Sequence, residues 1–156
     1  MKKVFISALI VLVTVLYTVA ILISLFSKIE KDDAMAVAEQ LFEYIEKGDY
    51  AFASELFCAN EDDEKSFSEF LDEVEIETGL EFQSNVEILE YSEYHSGPNS
   101  YFGVVSADFN VKAIVDGKEM TMHVGVLENE EKIECYQLVI YTDDNEYKEF
   151  LCHYID

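Results

Sequence analysis

Twenty-three consecutive residues without a charge, Val4 to Phe26, constrain this chain more than anything else in it. Ser and Thr are the polar interruptions. As a helix the run measures about 34 Å, enough to cross a hydrocarbon core about 30 Å thick, and it reads as a transmembrane segment. The competing reading is a cleaved secretory signal, since Lys2 and Lys3 precede the run and Thr18-Val19-Ala20 imitates a small-residue cleavage site. Against it, the run exceeds the roughly 7–15 residues of a signal core. Cutting after Ala20 also leaves Ile21 to Phe26 as an exposed apolar end. No cysteine stands near the end of the run to carry a lipid anchor.

The rest of the chain is acidic. Its 156 residues include 33 Asp and Glu against 10 Lys and no Arg, for a net charge of −23. From Lys28 onward, 33 acids and eight lysines leave −25. Such a surface excludes nucleic acid as a partner and is repelled by anionic headgroups. The N-terminal tip, with Lys2 and Lys3, is expected to stay in the cytoplasm while the acidic part is exported. A hydrophobic content of 50%, with 11 Phe and 10 Tyr, is too high for disorder, so the acids coat a packed core. The expected organisation is residues 1–27 as a signal-anchor, 28–31 as a polar linker and 32–156 as one extracytoplasmic domain.

Within that domain, Asp32 or Asp33 offers an N-cap for a helix whose buried face is Ala34, Val37, Ala38, Leu41, Phe42 and Ile45, stopped by Gly48. Asp49 begins a second helix with Phe52, Ala53, Leu56 and Phe57 apolar. Ser66 and Glu69 form a capping box for a third, with Phe67, Phe70, Leu71 and Val74 buried and Gly79 at its end. Beyond Gly79 the period changes to two, and about four strands are expected: Leu80 to His95, Ser100 to Val115, Lys118 to Glu128 and Ile133 to Thr142. Asp116-Gly117 is a type I′ hairpin signal. A two-residue loop there sets Ala113 opposite Met120, Val111 opposite Met122, Phe109 opposite Val124 and Ala107 opposite Val126. All eight are apolar, which makes theirs the core face and leaves Asp108, Asn110, Lys112, Thr121 and His123 on the other. A break in alternation predicts a bulge near Ile88 to Glu90, Gly97-Pro98-Asn99 predicts a turn, and a short helix is expected from about Asp144 to Tyr154.

The class is therefore α+β: a transmembrane helix, then about three helices packed on a curved antiparallel sheet of about four strands. The stretch Ala36 to Phe57, with Leu41-Phe42, Ile45, Gly48-Asp49-Tyr50, Ala53 and Leu56-Phe57, resembles the opening of NTF2-like, or cystatin-like, α+β domains. The order of elements continues the resemblance over residues 32–142. It implies a cone of helices and sheet, but little about function, because that fold hosts enzymes, adaptors and interaction modules alike. Enzymes of the ketosteroid isomerase type within it keep a carboxylate and phenol donors inside the cone. Asp108 is the strand carboxylate to compare, yet the hairpin register sets it on the outer face as a solvated residue. Tyr91, Tyr94, Tyr101, Tyr136 and Tyr141 read as amphipathic packing at sheet margins.

No convergent chemistry stands out. His95, His123 and His153 are scattered, with no two at metal-ligand spacing, so neither a metal nor a cofactor is expected. His123 reads as a cross-strand neighbour of Asn110. The run Glu61 to Glu64 lacks the ligand alternation of an EF-hand and reads as a solubilising loop. Cys58, Cys135 and Cys152 permit three pairings or none, with Cys152 the preferred partner of any bridge because it ties down a C-terminal segment. Phe102, Val104 and Leu127 cluster at one end of the outer sheet face. They form either an interface patch or a surface covered by the segment containing Phe150 and Leu151.

The function expected from these features is a single-pass membrane protein whose non-catalytic outer domain binds a protein partner, or a second copy, or assembles a membrane complex. Membrane-anchored secretion-system components with an NTF2-like outer domain share the layout. The alternative is an anchored enzyme or small-ligand binder using the cone interior, which requires a pocket there with a buried carboxylate or His. A third reading is an acidic decoy for a basic partner.

Overall fold

A computed structural model describes residues 10–19, 21–22, 28–57, 66–83, 85–99, 103–129, 132–141 and 146–151. The chain is α+β, with four helices and one antiparallel sheet of five strands. Within the expected span, residues 10–19 and 21–22 are helical and the remainder lies outside the described residues. Among the described residues no helix is long and apolar enough to cross a membrane.

Three helices of the domain are α1 (Lys31–Lys47), α2 (Tyr50–Ser54) and α3 (Phe67–Thr78). Ala34, Ala38, Leu41, Phe42 and Ile45 recur at helical spacing and form the buried stripe of α1. Gly48 ends α1 at φ 71°, where its N–H reaches the Ile45 carbonyl at 3.0 Å and that of Asp49 reaches Tyr44 at 2.9 Å. The Asp49 side chain makes no cap hydrogen bond. Ser66 and Glu69 do form the capping box of α3, with the Glu69 N–H donating to Ser66 Oγ at 3.3 Å and the Ser66 N–H donating to Glu69 Oε2 at 2.8 Å.

The strands are β1 (Val86–Asn99), β2 (Val104–Val115), β3 (Lys118–Asn129), β4 (Lys132–Tyr141) and β5 (Tyr147–Leu151), each paired with the next. The β2–β3 hairpin has the expected register, including Ala113 opposite Met120 and Phe109 opposite Val124. Its turn puts Asp116 at φ 49° and Gly117 at φ 78°, the two positive values a type I′ turn requires. The helices cover one sheet face. On that inner face Ala107, Phe109, Val111, Met122, Val124, Cys135, Leu138 and Ile140 join the α1 and α3 stripes in one core.

Three expectations are corrected. Gly97, Pro98 and Asn99 are not a turn but the end of β1, opposite Ser106, Val105 and Val104. The chain reverses after them, with Gly103 at φ 68° donating its N–H to the Asn99 carbonyl at 2.9 Å. Pro98 is tolerated because β1 is an edge strand. Residues 147–151 are a fifth strand rather than helix, because Phe150 fits among Phe57, Phe67 and Phe70 with ring centroids 4.8–5.5 Å away, while Leu151 turns to the outer face. The stretch expected as a polar linker also enters the core. Ile29 is buried, its N–H donates to Ser96 Oγ at 2.8 Å, and its carbonyl accepts from the Tyr94 hydroxyl.

Candidate functional site

Among the described residues, the side chains between helices and sheet form one continuous core. Phe109 and Met122 are fully buried and Met120 nearly so, and Ser106 is the one buried polar or charged residue among those described. The Tyr91 hydroxyl is buried there without a hydrogen-bond partner. Burial first, then the nearby Glu39 carboxylate, raises its pKa to about 12 and keeps it a neutral phenol. Among the described residues no buried carboxylate shares that interior.

Polar groups converge instead on the outer face, and irregular strand pairing brings them there. In β1 the register shifts between Ile88 and Glu90, as expected, and again between Ser92 and His95, where Glu93 takes φ 54°. The second shift sets His95 opposite Asp108. In β4 a further shift occurs: Val126 pairs with Cys135 and Gly125 with Gln137, leaving Tyr136 as the extra residue. Its ring lies across Gly125, and its hydroxyl donates to Asp108 Oδ1. Burial, the hydrogen bond to Asp108 and that carboxylate's charge all raise the Tyr136 pKa, so the phenol remains a donor.

Around Asp108 the contacts continue. His123 Nε2 lies 3.6 Å from Asp108 Oδ1, an ion pair whenever the ring carries both protons. His123 Nδ1 lies 3.1 Å from Asn110 Oδ1, and Asn110 Nδ2 donates to Glu93 Oε2 at 2.8 Å. Asp108 is thus half-buried and hydrogen-bonded to Tyr136 with His123 close by, not simply solvated. Beside it is an open depression of about 340 Å³ lined by residues 95–99, Ser106 and Asp108. Asn99 Nδ2 donates to Ser106 Oγ at 3.2 Å, and Ser96 Oγ donates to the Ser106 carbonyl at 3.1 Å. Among the described residues no hydrogen bond joins Ser106 to His95 or His123. The set can accept a hydrogen-bonding or cationic group.

The remaining predicted residues fall elsewhere. Leu127 is fully buried, packed with Tyr136, Val104 and Leu151, so this chain does not present it as surface. Phe102, Tyr101 and His153 lie outside the described residues, as do Glu61 to Glu64. Cys135 is a free thiol on the inner face, and its N–H donates to the Leu56 carbonyl at 2.8 Å. Cys58 and Cys152 lie outside the described residues. Among the described residues no group of three or more His, Cys, Asp and Glu could hold a metal. Sequence reasoning placed Asp108, Asn110 and His123 on one face. It missed Tyr136 and His95, whose positions depend on bulges; the small Gly125 preceding an apolar run was the available signal.

Searches for relatives found no match to any family model, curated protein or solved structure.

Proposed function

We propose that this chain is a single-pass membrane protein whose acidic, NTF2-like domain stands outside the cytoplasm and works without catalysis, by binding a protein partner within a membrane complex. The observation that carries the reading is the N-terminal helical segment. Its large apolar side chains from Ile10 to Leu22 are 43–69% exposed, a surface with no place in water. Its two threonine hydroxyls are satisfied within the helix, since Thr14 Oγ1 donates to the Ile10 carbonyl at 2.9 Å and Thr18 Oγ1 to the Thr14 carbonyl at 2.8 Å. That is how hydroxyls are accommodated in lipid.

The packed interior argues against the alternative of an enzyme or ligand binder using the space beneath the sheet. A partner-binding role leaves the outer face as the working surface. Flotation of the full-length chain with lipid vesicles, repeated after alkaline carbonate extraction, tests the anchor. Integration is expected for the wild type and its loss for Leu12→Arg/Leu16→Arg. Purification of the intact chain in mild detergent tests the partner: a stoichiometric companion supports the reading, and isolation of the chain alone removes it.

A further inference from the structure

We infer that the depression beside Asp108 receives one cationic side chain, a guanidinium, presented by a different protein. This deepens the partner-binding reading and rests on it. The lining suits a cation: the Asp108 carboxylate and the Ser106 hydroxyl stand at one opening of about 340 Å³ beside the imidazole of His95. The carboxylate is already held in place. The Tyr136 hydroxyl donates to Oδ1 and His123 lies nearest the same oxygen, and among the described residues no hydrogen bond falls on Oδ2.

Charge favours the same occupant. The domain carries a large negative excess, and the lysine on the same strand face, Lys112, is already paired with Glu119 at 2.9 Å. A basic group is therefore drawn to this sheet face with no free ammonium of Lys112 to oppose it. The whole chain contains no arginine. A second copy cannot supply the guanidinium, so the pocket selects a hetero-partner. An ammonium fits less well, being compact, strongly hydrated and without a planar fork.

Shape and charge can be separated at Gly97. Gly97 lines the depression and a Cβ built there meets nothing within 4 Å, so a small side chain can be added to that wall without a clash. The test titrates the full-length chain in mild detergent with N-acetyl-arginine methylamide, following the His95 and His123 ring signals by NMR. Both signals are expected to move. Gly97→Val, which changes no charge, and Asp108→Asn are each expected to weaken binding at least five-fold, with Glu119→Gln changing it less than two-fold. The lysine analogue is expected to bind more weakly. Equal weakening by Asp108→Asn and Glu119→Gln, unaltered binding by Gly97→Val, or unmoved ring signals would overturn the inference in favour of diffuse attraction. A chain that takes the probe through Asp108 yet purifies without a companion removes the partner reading and sustains the pocket itself.

Discussion

Tyr136 occupies the space that a side chain at Gly125 would need. A Cβ at Gly125 would stand 2.6 Å from Tyr136 Cζ and 2.9 Å from its hydroxyl oxygen. The absence of a side chain on β3 is therefore what lets a residue of β4 reach Asp108 on β2. A glycine interior to a strand weakens it, and here the bulge and the reach of Tyr136 accompany that cost.

Gly125→Ala is expected to destabilise the domain by about 1–3 kcal/mol, because the tyrosine ring must move off its hydrogen bond. Tyr136→Phe should cost less, about 1 kcal/mol, since it keeps the ring and removes a hydrogen bond to a partly exposed carboxylate. The two should be strongly non-additive, as both act through the same contact. Urea midpoints of the two single variants and the double variant check this. Full additivity would show that the ring does not depend on the glycine.

Ile29, two residues ahead of α1, is tied to β1 of the sheet. Its side chain is buried, and its backbone groups are bonded to Ser96 and Tyr94. Ile29→Ala is expected to cost about 2–4 kcal/mol, the range for truncating a buried aliphatic side chain. Ser96→Ala should cost about 1 kcal/mol, for it leaves the Ile29 N–H unpaired. Amide exchange at Ile29 offers a local readout: protection should fall in both variants before global stability is lost. Exchange at the solvent rate in the wild type would mean that no such tie exists.

Much of this domain was legible in its sequence, and where it was not the causes are local. The Asp116-Gly117 turn and the alternation around it agree, so the central hairpin was readable residue by residue. The Ser66–Glu69 box was equally plain, because capping depends on two side chains three apart. Gly97-Pro98-Asn99 misled because the same residues that make turns are tolerated at the end of an edge strand. Residues 147–151 carry too short an apolar pattern to tell strand from helix; the free edge of β4 and the Phe57, Phe67 and Phe70 rings decide it. Ile29, a single apolar residue among charges, gives no periodic signal at all. The site around Asp108 was half visible, since alternation sorts faces but does not reveal which bulge adds Tyr136 to them.

Cys135 should make the fold sensitive to alkali. Complete burial, with a smaller contribution from Glu134, raises its thiol from the usual 9.0 to about 12. In the unfolded chain the thiol ionises near pH 9, while in the folded chain it stays protonated. Its contribution is therefore intact below pH 9 and is lost as pH rises toward 12, by about 1.4 kcal/mol per pH unit. Tyr91, raised from 10.0 to about 12, adds to the decline only above pH 10. Urea unfolding between pH 8.5 and about 10 should accordingly show a slope that Cys135→Ala removes. The native thiol should also resist alkylation until the domain unfolds. Rapid labelling of Cys135 in the native state would contradict its burial.

Phe150 decides whether the sheet has five strands. It meets Phe57 and Phe67 edge-on at 4.8 and 5.1 Å and Phe70 at 5.5 Å, so one side chain of β5 joins α3 and the chain beyond α2 to the inner face. The strand has only five residues, and its neighbour Leu151 packs on the other face with Leu127 and Tyr136. Without the ring, five residues of ladder compete poorly with solvent at an edge. Phe150 is partly buried, so Phe150→Ala is expected to cost about 2–3 kcal/mol, below the range for a fully buried ring, and to release β5 first. Amide protection should vanish across residues 147–151 and persist in β2 and β3. Phe150→Leu, which keeps an apolar side chain of similar reach, should retain most of the protection. Uniform loss across all five strands in Phe150→Leu would mean that β5 is integral to folding itself rather than docked by this contact.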